Sequence, residues 1–271
     1  MRILYFGDVV GRSGREAVLA RAPELRERLK IDFMMACGEN AAAGFGITAK
    51  ICGAFYAAGI DCITLGNHAW DQREIIGYID GDTKLLRPAN YPEGTPGRGI
   101  AVYDAPAGRK VMVVQVMTRL FMDPLDDPFP ILSEALKTHR LGHAVDAIVV
   151  DIHGEATSEK MALGHHADGR ASMAVGTHTH VPTADTLIMP GGTAYQSDIG
   201  MCGDYDSVIG MKKDIALARF TRKMPGERLA PADGEATVCA VLVETDDRTG
   251  LAKSIAPLRL GGRLPEVMPD L

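Results

Sequence analysis

Short apolar runs repeatedly end in polar clusters along this chain, and that pattern constrains its fold more than any other feature. Arg2–Gly7 runs into Asp8, Asp32–Cys37 into Gly38-Glu39-Asn40, and Asp61–Leu65 into Gly66-Asn67-His68. Farther on, Asp146–Ile152 leads to His153-Gly154-Glu155, and Ala171–Val175 to Gly176-Thr177-His178-Thr179-His180. Runs of this length, bounded by glycine and polar residues, read as buried strands. Between the first ones the periodicity is helical. Val18, Ala22, Leu25 and Leu29 share one face over Gly14–Lys30, with Pro23 as a candidate kink. Thr48 can cap a helix through Ala58, and another helix is expected over about Asp71–Ile79. This β-α-β-α-β-α order calls for parallel strands with helices on the sheet faces.

From Thr83 to Pro130 the chain is richer in proline and glycine, with two strands, Gly99–Tyr103 and Lys110–Val116, that suit a hairpin. Helices are expected near Ile131–His139 and Ser158–His165. The C-terminal part reads as mainly β, with strands at Asp214–Phe220, Ala236–Val243 and Ala252–Leu258, and with Gly191-Gly192 as a hairpin turn. No repeat, low-complexity tract or linker interrupts the chain. Residues 1–271 are therefore expected to form one α/β domain, two packed sheets with helices outside.

A hydrophobic fraction of 46% and a charged fraction of 24% are ordinary for a soluble protein. The formal net charge of −6 works against binding duplex nucleic acid. It leaves room for a small phosphorylated substrate, because bound cations invert the local sign. The five cysteines form no CxxC pair, which argues against a disulfide framework and a zinc ribbon and for buried thiols. No signal-peptide pattern and no apolar run of about 20 residues is present. A cytoplasmic protein without a membrane partner is the expectation, and a homo-oligomer stays open.

In a parallel α/β sheet the carboxyl ends of the strands line one crevice, so the five polar clusters are expected to meet. Carboxylate and amide oxygens with imidazole nitrogens suit Mn, Fe or Zn, and the lack of thiolates argues against structural zinc. In an extended segment His178 and His180 point the same way, toward one cation each. Glu39 is a natural bridge between two cations at ~3.5–4 Å, which would lower the pKa of a shared water. Taken singly, Asp8 or His153 reads as a turn or cap residue; five clusters in one order read as a site. His165, His166, His139 and His143 are read as surface or capping residues, and Asp123, Asp126 and Asp127 as a solvated loop. Gly44-Phe45-Gly46 has the wrong spacing for a P-loop and suits a mobile loop at the site rim. Asp198–Met201 and Tyr205-Asp206 are candidates for the pocket border.

Gly7-Asp8, Gly38-Glu39-Asn40, Gly66-Asn67-His68, the lone His153 and Gly176–His180 together resemble the calcineurin-like metallophosphoesterase pattern. The similarity is greater to its YmdB-type bacterial phosphodiesterases, including the stretches 151–160 and 176–185. The resemblance implies a four-layer α/β/β/α sandwich. It implies two transition-metal ions, Fe or Mn first among them. Asp8, Glu39, Asn40 and His180 would hold one; Glu39 would bridge to the other, completed by Asn67, His153 and His178. His68 would be the general acid in hydrolysis of small phosphodiesters, 2′,3′-cyclic nucleotides above all, by a metal-bridging hydroxide. Val10 stands where the wider superfamily has a histidine ligand, so the first cation depends more on Asn40 and His180. The alternatives are a phosphomonoesterase (a nucleotidase or protein phosphatase) and a regulatory or RNA-associated protein with a structural metal site.

Overall fold

The computed structural model describes residues 1–222 and 226–269, which build two stacked sheets with helices on the outer faces. In the first sheet β1 (Arg2–Val9), β2 (Phe33–Cys37), β3 (Cys62–Thr64) and a brief β4 (Leu85–Leu86) run parallel. They are joined through α1 (Gly11–Arg28), α2 (Ala49–Ala57) and the short α3 (Glu74–Tyr78). The second sheet opens with the antiparallel pair β5 (Ile100–Ala105) and β6 (Arg109–Met117). It continues through α4 (Pro128–Thr138), parallel β7 (Ala147–His153), α5 (Thr157–Ala167) and parallel β8 (Met173–Thr177). The hairpin of β9 (Leu187–Ile188) and β10 (Ala194–Gln196), turning at Gly191-Gly192 as expected, forms its far edge.

The chain then returns to the first sheet. β11 (Met201–Asp204) lies parallel to the Asp8–Val9 end of β1. After α6 (Lys213–Arg222), β12 (Ala236–Thr245) pairs antiparallel with Arg2–Phe6 of the same strand, and β13 (Ala252–Leu260) pairs with β12.

Strand alternation sorts the core into layers. Leu4 and Phe6 of β1 pack toward the helices with Val18, Leu25 and Phe55. Ile3 and Tyr5 pack toward the second sheet with Val113, Val149 and Met173. Met112, Val114, Ile148 and Val150 meet Leu132 and Leu163 of α4 and α5 on the opposite side. The result is the expected four-layer α/β/β/α sandwich. Its inner strands are buried on both faces, which is why they read as unbroken apolar runs. Gly14 shows how closely the layers approach: a β-carbon there would lie 2.0 Å from the Cys202 carbonyl oxygen, so α1 needs glycine to rest on β11.

Three expectations change. Asp214–Phe220, read as a strand from its alternation, lies in helix α6. Its alanines, leucine and arginine favour helix, and only Ala216 is buried, so no sheet face exploits the alternation. Asp127, placed in a solvated loop, caps α4 by accepting from the Phe129 N–H at 3.0 Å, and the helix starts before Ile131. α1 runs through Pro23 from Gly11 to Arg28. All five cysteines are buried and unbridged. Among the described residues no helix is long and apolar enough to cross a membrane.

Candidate metal centre

All eight sequence-predicted site residues gather at the carboxyl ends of β1, β2, β3, β7 and β8. Asp8 lies near the end of β1, Glu39 and Asn40 follow β2, and Asn67 and His68 follow β3. His153 ends β7, while His178 and His180 follow β8. Asp8, Glu39, Asn40, His153 and His180 are buried; Asn67, His68 and His178 are partly exposed.

His153 is the hub. Its Nε2 lies 2.9 Å from Asn67 Oδ1, 3.2 Å from Glu39 Oε1 and 3.2 Å from His178 Nδ1. Its Nδ1 lies 2.9 Å from Thr177 Oγ1, and that hydroxyl gives its own proton to Asp151 Oδ1 at 2.8 Å. The hydroxyl therefore accepts from His153 Nδ1–H, and in the neutral ring Nε2 turns its lone pair toward the other three donors. Cis donors around a cation bound at ~2.1 Å lie ~3 Å apart, the spacing found here. Gly66 keeps this space open, since a β-carbon there would fall 2.3 Å from both Glu39 Oε2 and His153 Nε2.

Electrostatics agree with the geometry. Burial alone would lower His153, but Glu39, then Asp8 and Asp151, raise it to about 9. Burial likewise opposes ionisation of Glu39, yet His153 and then His68 hold that carboxyl down at about 2. His178 is pushed down to about 3, first by burial and then by the charge of His153. The pocket thus calls for positive charge among fixed carboxylates, which a cation would supply in place of a proton.

Beside this cluster, His180 donates Nδ1–H to the Ile209 carbonyl at 2.8 Å and leaves Nε2 facing Asp8 Oδ1 at 3.9 Å. Asn40 donates from Nδ2 to the Gly44 carbonyl, while its buried Oδ1 has no hydrogen-bond partner. An orphaned acceptor next to a carboxylate and an imidazole lone pair suits a cation. Cys37 is near, but burial raises its thiol well above the ordinary range, and it donates to Asp8 Oδ1 at 3.3 Å. Val10 turns into an apolar cluster with Met201 and Met211.

The His-x-His segment is not extended. His178 and His180 have φ of 100° and 67°, so a left-handed turn, not strand alternation, aims both rings inward. Two buried charges hold that turn, and the sequence reading assigned neither this role. Lys160 of α5 donates to the Thr177 carbonyl at 2.7 Å and to Asp198 Oδ2 at 2.8 Å. Asp198 in turn accepts from Thr179 N–H at 3.0 Å and from Gly200 N–H at 2.9 Å, and Asp8 accepts from His178 N–H at 3.0 Å. Nothing in the sequence marks Lys160 as buried; at 1% exposure it is a lysine that requires a partner, and only the fold supplies one. Asp198 thus lies beneath the site, Tyr205 donates to the His180 carbonyl, and Asp206 pairs with Lys213.

His68 and His180 open onto a cavity of about 320 Å³, lined also by Phe45, Ile209, Met211 and Leu229. Asp71 accepts from His68 Nδ1 at 2.9 Å, which leaves Nε2 as the free ring nitrogen, and Phe45 stands edge-on to the ring at 5.1 Å. Ile209 and Gly210 are the central residues of a tight turn closed by paired backbone bonds of 2.9 Å between Val208 and Met211. Both have positive φ, 46° and 91°, as a type I′ turn requires. For a β-branched residue that conformation costs about 1–2 kcal/mol.

The family described as YmdB-like protein matches residues 4–258. The chain belongs to the YmdB-like family. Among YmdB-like relatives, the 2′,3′-cyclic-nucleotide 2′-phosphodiesterase of Bacillus subtilis is 46% identical over 259 residues, 94% of this chain and 95% of that protein. The crystal structure of a hypothetical protein from Thermus thermophilus is 42% identical, with a TM-score of 0.90 over 97% of this chain and 100% of its own. A novel phosphatase from Mycoplasma pneumoniae is 29% identical, with a TM-score of 0.88 over 96% and 93%. The metallophosphoesterase architecture expected of a YmdB-like chain is the one found.

Proposed function

We propose that this chain is a two-cation phosphodiesterase acting on small phosphodiesters, 2′,3′-cyclic nucleotides first among them. The broader statement, that it is a phosphoesterase, follows from its family and from relatives named phosphodiesterase and phosphatase. The observation that carries the finer reading is the convergence of Glu39, Asn67 and His178 on His153 Nε2 at 2.9–3.2 Å beside Asp8, Asn40 and His180. Glu39, Asn67, His153 and His178 would hold one cation, and Asp8, Asn40 and His180 the other, with Glu39 shared. Cations bound there would supply an activated water and neutralise charge on the phosphoryl oxygens.

The chain's own residues do the rest. The Thr177–Asp151 relay keeps the His153 proton on Nδ1 and its lone pair inward. Ile209 does the same for His180. Asp71 orients His68, whose Nε2 moves a proton to the departing ribose oxygen. A regulatory protein with a structural metal site is the weaker reading, because the converging donors open onto a cavity able to admit a substrate.

Metal analysis of the purified protein, joined to a substrate panel, tests the proposal. Two cations per chain are expected under saturating Mn or Fe, with 2′,3′-cyclic nucleotides turned over ahead of nucleoside monophosphates. Fewer than two cations would overturn the dinuclear centre, and a preference for monophosphates would overturn the phosphodiesterase reading.

A further inference from the structure

Ile209 is poorly suited to its place. The first central position of a type I′ turn favours asparagine, aspartate or glycine, and a β-branched side chain is among the worst choices. Burial does not offset the strain, because Ile209 is 53% exposed. Its service to His180 comes from a backbone carbonyl that any residue would provide. The fold therefore gives no reason for an isoleucine, and strained residues that persist without a packing reason mark functional sites.

Its surroundings supply the reason. Ile209 lines the cavity that holds His68 and His180; with Phe45, Met211 and Leu229 it makes up the apolar part of a lining that also includes Glu155 and Thr179. Phe45 is flanked by Gly44 and Gly46, both at positive φ, and its ring abuts His68. None of the four side chains carries a strong hydrogen-bonding group. In a 2′,3′-cyclic nucleotide the base hangs on the ribose carbon next to the one bearing the 2′ oxygen. A ribose oxygen beside His68 therefore brings the base against this wall.

We propose that Ile209, with Phe45, Met211 and Leu229, forms an apolar clamp for the nucleobase, built to grip a flat ring without identifying it. The clamp presupposes the phosphodiesterase reading above and adds to it a mode of substrate selection. Contact area, not hydrogen bonding, sets the preference, so adenine and guanine are served alike and pyrimidines less well.

The test is Ile209→Asn in the full-length, metal-loaded protein, with Ile209→Val as the conservative partner. The substrates are adenosine and guanosine 2′,3′-cyclic monophosphates and base-free ribose 2′,3′-cyclic phosphate. Asparagine suits the turn, so the Tm of the chelator-treated variant rises by about 2–4 °C. The preference in kcat/KM for nucleoside over base-free substrate falls by about tenfold, through KM, and Ile209→Val retains most of it. Equal preference in parent and Ile209→Asn overturns the clamp alone. Turnover of none of these compounds by the parent overturns the phosphodiesterase reading and the clamp with it.

Discussion

Replacing Lys160 with methionine isolates the support beneath the metal centre. The Lys160 and Asp198 side chains are each 1% exposed, with Nζ 2.8 Å from Oδ2. Removing one member of a buried ion pair costs about 3–5 kcal/mol, since the other charge is stranded. Asp198 keeps its two backbone N–H donors, which favours the low end, while the Thr177 carbonyl loses its Lys160 donor and keeps the longer bond from Gly154 N–H at 3.3 Å. A loss of about 3 kcal/mol is expected, a Tm decrease of about 6–12 °C for a chain of this size. Urea unfolding of the chelator-treated protein reads this without the contribution of bound cations. Adding Asp198→Asn removes the stranded charge at the cost of one of the two acceptor oxygens, so the double variant should lose less stability than the sum of the two single losses. The turn carrying His178 is loosened in both, and both should bind Mn more weakly than the parent. Parent-like stability within about 1 kcal/mol for Lys160→Met, or strictly additive losses in the double variant, would refute the reasoning.

Other perturbations separate roles within the site. His68→Ala should cut turnover at least about tenfold while leaving cation content near that of the parent, measured by elemental analysis and steady-state kinetics. Loss of both cations would make His68 structural. Gly66→Ala sets a methyl 2.3 Å from Glu39 Oε2 and His153 Nε2, so the cation count should fall from two toward one with the fold retained by circular dichroism. Burial, then the charge of Arg170, lowers His166, which lies 2.7 Å from Ser133 Oγ. Below about pH 6.5 the unfolded chain binds a proton that the folded ring resists. Stability should therefore fall as pH drops from there toward the folded value. His166→Asn should flatten that slope in unfolding titrations; an unchanged slope would assign it elsewhere.

Much of this was legible in the chain. Strands buried on both faces announce themselves as apolar runs, and the polar residue after each run marks the crevice, so Asp8 through His180 could be placed together without coordinates. What stayed hidden depends on non-local contact. A two-residue strand such as Leu85–Leu86 has no periodicity to detect, and Asp214–Phe220 alternates without a sheet to use it. Asp151 and Thr177 looked like parts of motifs; only the register of β7 against β8 sets one hydroxyl between His153 and a carboxylate. The inward aim of His178 and His180 comes from left-handed backbone, which side-chain identity does not encode.

The position of β1 has a consequence for how the molecule is made. One of its two edges is completed by β11 and β12, translated roughly two hundred residues after it. Until then that edge can only wait, unpaired and open to another chain. Glu39, Asn40 and Asn67 precede β5, and His153, His178 and His180 follow β6, so the candidate donors come from two separate stretches of chain. A product that stops near β10 has every candidate donor but lacks the strands that complete the first sheet beside Asp8.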